Sequence, residues 1–271
     1  MRTLDNRVAV ITGAGSGIGR EIALDLAARG CHIAAVDIRP EGIAATAALV
    51  RDLGRNASTH IADVSNPERM AELPAEVLES HGEVHIVVNN AGVTSAGAFE
   101  KETIKDLQWI VGINLWGVVH GCHAFLPHLK EVDEAHIVNV SSMVGLMGLP
   151  HNAAYSLTKG AVKSFSEALR AELVATKIGV TTVFPGAHKT SITESARGSM
   201  GSKLTEMGRS KFTGIAMRSP RRLAKRVGNA IERDRARVIA GPDAHLIDAW
   251  ARIAPGRIGL LGHLTGRGER G

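Results

Sequence analysis

Tyr155 and Lys159 stand four residues apart, and Ser142 lies thirteen residues before the tyrosine. Between and beyond them, Ala153, Ala154, Leu157, Ala161, Val162, Phe165, Ala168, Leu169 and Leu173 recur every three or four positions, which predicts a helix over 152–176. Residues i and i+4 share a helix face, so a phenol and an ammonium would stand side by side. A neighbouring cation favours phenolate and lowers the tyrosine pKa from about 10 towards neutrality, where a general acid or base is most useful. The pair alone also fits a buried tyrosine beside a solvated lysine. Tyr155 is the only tyrosine in a chain with five Phe and three Trp, and its place here is modest support for the chemical role.

The next constellation stands at the amino terminus. Val8-Ala9-Val10-Ile11 is a β-branched run followed at once by Thr12-Gly13-Ala14-Gly15-Ser16-Gly17-Ile18-Gly19, and Ile22 and Leu26 continue at helical spacing. Strand, glycine turn and helix in that order let a phosphate approach the backbone and meet the amide ends of a helix starting near Gly17. Asp37 ends a second apolar run, Cys31 to Val36, about twenty residues beyond the turn, where a carboxylate can accept hydrogen bonds from an adenosine ribose. It also repels a 2′-phosphate, which argues for NAD over NADP; Arg39, two residues on, pulls the other way. The motif Gly-x-x-x-x-Gly-Lys-Ser/Thr is absent, which argues against a nucleotide triphosphatase.

From about residue 5 to residue 242 the chain resembles the short-chain dehydrogenases/reductases. Thr12-Gly13-x-x-x-Gly17-x-Gly19 resembles their cofactor turn, which takes in Ser16 and Ile18, and Asp63-Val64 resembles their adenine-contacting pair. Asn89-Asn90-Ala91-Gly92 resembles the element after the fourth strand, and Pro185-Gly186 followed by Thr190 the segment that holds the nicotinamide carboxamide. Asn114, Ser142, Tyr155 and Lys159 match the catalytic tetrad. His188 departs from the pattern, which has a small aliphatic residue there; a main-chain amide contact would survive the change. The resemblance implies an oxidoreductase in which Tyr155 exchanges the substrate proton and Ser142 hydrogen-bonds the substrate oxygen. It further implies that Lys159 holds the nicotinamide ribose and Asn114 orders a water in the proton relay. Asn114 also reads as a polar kink in an apolar helix, and Asp63 as a turn acid before Asn66-Pro67.

At 271 residues and 44% hydrophobic content the chain can bury a large core as one domain. Strands are expected near 7–12, 31–36, 56–61, 84–88, 135–140, 179–184 and 236–240, with helices between them, one of them over 220–233 behind Ser219-Pro220. That alternation predicts an α/β fold, a Rossmann-like doubly wound parallel sheet of about seven strands with helices on both faces. Residues 1–242 would form the dinucleotide-binding and catalytic domain, with a lid at about 190–218. Residues 243–271 would form a carboxy-terminal extension against the pocket or an oligomer interface. Cys31 and Cys122 read as buried small hydrophobes and no metal site is expected. The first residues lack a signal-peptide core and no uninterrupted apolar stretch reaches membrane-spanning length, so a cytoplasmic protein is expected.

Residues 1–196 carry 16 Lys+Arg against 21 Asp+Glu, a balance of −5, while 197–271 carry 16 against 6, or +10. The basic residues alternate with apolar ones and match no nucleic-acid module, so a solvated helix face is expected, with membrane contact by the carboxy-terminal segment as the next option. Met143 and Leu149, beside Ser142 and Tyr155, suggest an apolar pocket for a small hydrophobic secondary alcohol or ketone. Two alternatives stay open: an NAD(H)-binding sensor or scaffold without turnover, and an NADP-dependent ketoreductase. The resemblance also implies a homodimer or homotetramer through the helices carrying Asn114 and Tyr155, with Val118, Val119, Phe165 and Leu169 facing the partner.

Overall fold

β-Branched and aliphatic runs too short for helices build the centre of the molecule. The structure, a computed structural model, describes residues 1, 3–187, 196–201 and 219–260. Seven strands appear: β1 (Val8–Thr12), β2 (His32–Asp37), β3 (Ala57–Ile61), β4 (Ile86–Asn89), β5 (Ala135–Val140), β6 (Ile178–Pro185) and β7 (Arg237–Ala240). Every pairing is parallel and the order is β3-β2-β1-β4-β5-β6-β7, the doubly wound sheet expected from the sequence.

Because side chains alternate along a strand, each strand feeds both faces of the sheet. Ala9 and Ile11 enter one core with Ile33, Val88 and Val138; it is covered by α1 (Gly17–Ala28), α2 (Pro40–Asp52) and, after α3–α6, by α7 (Pro220–Glu232). Val8 and Val10 enter the other, beneath α3 (Pro67–His81), α5 (Gly117–Glu131) and α6 (Ala153–Glu172). A polar layer threads the second core. Asn89 donates to Asn139 at 2.8 Å and Asn139 to the Ser166 hydroxyl at 2.9 Å, tying β4 to β5 and β5 to α6 just below the strand ends.

The expected helix over 152–176 ends at Glu172, because the Thr176 hydroxyl bonds the Leu173 carbonyl at 2.7 Å and closes a turn before β6. Helix α4 (Ile104–Val111), a π-helical turn (Gly112–Trp116) and α5 run on as a helix of 28 residues, Ile104–Glu131, apolar and long enough to cross a bilayer. It is not an uninterrupted apolar stretch, since Gln108, Asn114, His120, His123 and His128 fall within it. In the fold this helix packs on β4, β5, α3 and α6. Two of the expected partner-facing residues are corrected: Val118 and Leu169 are core residues, while Val119 and Phe165 are half-buried, and Ile104, Trp116 and Leu157 are exposed apolar side chains of these helices. Cys31 stands just before β2 and Cys122 in α5; both are buried and free, and burial pushes both thiols up to about 12.

Phe125 of α5 is fully buried in the second core. Phe125→Ala should cost about 3–5 kcal/mol through lost burial and a cavity. A urea titration reads it as a lower midpoint at similar slope, and an unshifted midpoint would show that the core collapses around the gap.

Candidate functional site

Chain leaves β1 towards one face of the sheet and β4 towards the other, so a crevice opens between their carboxyl ends. A cleft of about 700 Å³ occupies it. Its floor is the glycine turn. Gly13 has φ +66°, which favours glycine, and a Cβ there would come within 2.8 Å of the Asn90 amide. Asn90 Nδ2 donates to the Thr12 carbonyl at 2.9 Å, and the Thr12 hydroxyl accepts from the main-chain amides of Asn90 and Ala91 at 3.0 and 3.1 Å. The ends of β1 and β4 are thereby locked together beneath the cleft.

Gly13, Ser16, Gly17 and Ile18 line the cleft, while Gly19 is buried a turn into α1, packed on Gly13. The first turn of α1 carries no acidic residue, so its positive end is available to an anion. Asp37, 7% exposed, closes one side: Oδ2 accepts from Gly15 N at 3.0 Å and Oδ1 from Arg39 N at 3.1 Å. The Arg39 guanidinium reaches over to Ser16 Oγ at 2.9 Å and lies 3.5 Å from the Asp37 carboxylate. Asp63 and Val64 line the cleft beyond β3. Asp63 is the turn acid expected before Asn66-Pro67, accepting from the Ser65 amide and hydroxyl at 2.9 and 2.7 Å. Glycine turn, helix end and buried carboxylate fit the phosphates and adenosine ribose of a dinucleotide.

The far end of the cleft holds Ser142, Met143, Tyr155 and Lys159, with Ala91 and Gly92 on one side and Pro185 and Gly186 on the other. Lys159, 3% exposed, donates from Nζ to the Val140 carbonyl at 2.9 Å, and burial lowers its pKa to about 8. The Ser142 hydroxyl hydrogen-bonds the Tyr155 phenol, which favours phenolate, but burial dominates and pushes the phenol up to about 12. The expected lowering of Tyr155 by Lys159 is thus corrected for this conformation. The ammonium lies 5.9 Å from the ring centroid and is turned to Val140.

Asn114 sits at the π turn, where the polar kink was expected, and is fully buried. Its side chain clamps Val93, donating to the carbonyl at 2.9 Å and accepting from the amide at 2.8 Å, and donates to Thr158 Oγ1 at 3.2 Å. Thr158 in turn bonds the Tyr155 carbonyl at 2.9 Å, so Asn114 joins the cleft wall to the helix carrying Tyr155. The Asn114 side chain does not itself line the cleft. Leu149 does not line it either; its amide lies 3.4 Å from Ser156 Oγ. His188 and Thr190, and all of the expected lid except 196–201, lie outside the described residues. Sequence spacing missed Trp109, a lining residue whose indole Arg197 covers at 4.0 Å from the ring centroid. Its one signal was position, a helical turn ahead of Ile113 and Asn114.

The short chain dehydrogenase family model matches residues 7–200. The chain is 38% identical over 255 residues to SadH of Mycobacterium tuberculosis, described as an oxidoreductase, covering 93% of this chain and 92% of that protein. A short-chain dehydrogenase/reductase from Burkholderia phymatum, crystallised in complex with NAD, superposes with a TM-score of 0.86 at 30% identity, covering 96% of each chain. An alcohol dehydrogenase from Thermococcus sibiricus, complexed with 5-hydroxy-NADP, superposes at 0.75 with 28% identity, covering 86% of this chain and 94% of that one.

Since Tyr155 is the sole tyrosine, tyrosinate absorbance near 295 nm reports on it alone. In protein without added ligand the absorbance should rise only well above the ordinary phenol pKa of about 10, because the neutral phenol is favoured in its desolvated place. Tyr155→Phe should abolish the signal. An onset below pH 10 in folded protein would show that Lys159 or Ser142 outweighs burial.

Proposed function

The chain belongs to the short-chain dehydrogenase/reductase family, and on that premise we propose that it transfers a hydride between NAD and a hydrophobic secondary alcohol or its ketone. The observation that carries this reading is the meeting of Ser142, Tyr155 and Lys159 at one end of the cleft whose other end holds Asp37. When bound, the nicotinamide supplies the hydride acceptor or donor.

The chain's own residues handle the proton and the charge. In the oxidation direction Tyr155, as phenolate, takes the proton of the substrate hydroxyl, and in reduction the phenol returns it. Its high pKa in the desolvated site makes the phenolate a strong base, and the Ser142 hydrogen bond supports that form. Ser142 also offers a hydrogen bond to charge developing on the substrate oxygen. Lys159 carries three N–H donors, one of them directed at Val140, and its ammonium lies beside Gly92 on the cleft wall. There it can hold ribose hydroxyls, and a pKa near 8 suits it to pass protons at neutral pH. Asn114 contributes by clamping Val93 and, through Thr158, the turn of α6 that bears Tyr155. Met143, Val144 and Trp109 give the cleft an apolar lining for a hydrophobic substrate.

Asp37 favours NAD because a 2′-phosphate would be pressed against a buried carboxylate. Arg39 favours the ketoreductase reading with NADP, since its guanidinium spans the same rim from Asp37 to Ser16. Dissociation constants decide between them. NAD should bind at least tenfold more tightly than NADP by the loss or gain of about one charge-assisted contact, and Asp37→Ala should narrow the ratio. Tighter NADP binding by the wild-type chain would overturn the NAD assignment.

Turnover is tested by absorbance of reduced nicotinamide with NAD and a panel of apolar secondary alcohols. Wild type should react with at least one, and Tyr155→Phe should lower kcat by about 10²-fold or more. Cofactor binding with no reaction in either direction, ketones included, would support a sensor or scaffold instead.

A further inference from the structure

We propose that Asp243, in the segment beyond the last strand, is a positioning residue for the nicotinamide end of the cleft. The inference rests on the proposal that a nicotinamide dinucleotide occupies the cleft.

Chain leaves β7 through Gly241 into α8 (Pro242–Ile253), and Asp243 lies in the first turn of that helix, where the helix dipole favours a carboxylate. Its Oδ2 accepts from the Ala187 amide at 2.7 Å, a charge-assisted hydrogen bond onto main chain. One residue earlier, the Gly186 amide donates to the Ala240 carbonyl at 2.8 Å. Gly186 has no side chain for a reason: a Cβ there would run into the Asp243 carboxylate. Pro185, Gly186 and Ala187 all line the cleft, at the end that holds Tyr155 and Lys159. The same helix packs against the 3₁₀ turn Met143–Gly145, which follows Ser142 and gives Met143 and Val144 to the lining. One helix therefore touches both loops that flank the reacting end, and a single carboxylate holds the rim formed by the end of β6. Among the described residues, α8 packs on β7 and the Met143–Gly145 turn, whereas Asp37, Asp63 and the glycine turn stand on or just after β1, β2 and β3.

That asymmetry sets the test. NAD and ADP-ribose share everything but the nicotinamide, so a residue acting on the rim alone should affect one and spare the other. Dissociation constants for both are measured by titration calorimetry on the full chain and on Asp243→Ala and Asp243→Asn. Asp243→Ala should weaken NAD by about tenfold, the worth of one charge-assisted hydrogen bond, and change ADP-ribose by less than about twofold. Asp243→Asn keeps an acceptor oxygen for Ala187 and should recover most of the loss. Where Asp243→Ala does not fold, Asp243→Ser, whose hydroxyl is too short to reach, carries the same comparison. Equal weakening of both ligands, or unchanged NAD affinity, would overturn the positioning role. Wild-type protein that binds neither ligand would overturn the dinucleotide proposal itself, and this inference with it.

Discussion

In a parallel sheet whose connections pass to opposite faces, the strand ends at the reversal have no helix covering them, and the gap must be held open without falling apart. Here that place is the junction of β1 and β4. Thr12 and Asn90 meet across it through main-chain and side-chain bonds of 2.9–3.1 Å. The tie brings Asn90 against Gly13, so a glycine is required there, and it leaves Ala91 and Gly92 on the cleft wall. Below it, the Asn89–Asn139–Ser166 layer carries the same alignment from β4 through β5 to α6. Ser142 follows β5 and Tyr155 stands on α6, so their distance from the glycine turn is set by this ladder of polar contacts.

Burying those contacts is costly unless each is satisfied, and the same condition shapes the charged groups. Lys159 lies almost wholly out of water and keeps its ammonium through the Val140 carbonyl. Burial favours the neutral form of both groups, which lowers the pKa of Lys159 and raises that of Tyr155. Desolvation thus narrows the ordinary gap in one residue and widens it in the other, with the lysine near neutrality and the phenol a base held in reserve. A cation placed close to the phenol is what would draw the tyrosine down, so the proposed proton transfer would be coupled to whatever fills the space between Lys159, Gly92 and Tyr155.

What was legible in the sequence was what short spacing determines. Short apolar or β-branched runs mark most of the seven strands, Asp37 ends β2, and the four-residue spacing sets Tyr155 and Lys159 on one helix. The direction of the Lys159 ammonium was not legible, because it depends on a carbonyl of β5 nineteen positions away. Leu149 was misplaced for a similar reason: a loop residue's apolar type gives no direction, and its turn packs against Ser156. Val118 and Leu169 were expected on outer faces because they are apolar, yet each packs into the second core, and apolar type alone does not say which face of a helix is covered. Trp109 owes its place to the same long helix and to Arg197 from a distant segment.

Specificity follows from the division between these two kinds of contact. The end of the cleft at Asp37 is built from residues close in sequence to strand ends, the glycine turn and one acid among them. At the reacting end, the walls come from remote stretches. Residues 196–201 lie along 94–97 through main-chain bonds, with Arg197 N on the Thr94 carbonyl at 3.1 Å and Ala96 N on the Arg197 carbonyl at 3.0 Å. Arg197 then reaches both Asp106 and the Trp109 indole. An arm fixed this way holds Trp109, which lines the same cleft as Met143 and Val144, through a segment separate from those that carry Tyr155 and Lys159. Under the proposed reaction, substitutions along that arm would change which substrate fits while leaving Tyr155 and Lys159 in place, so one scaffold can vary its substrate.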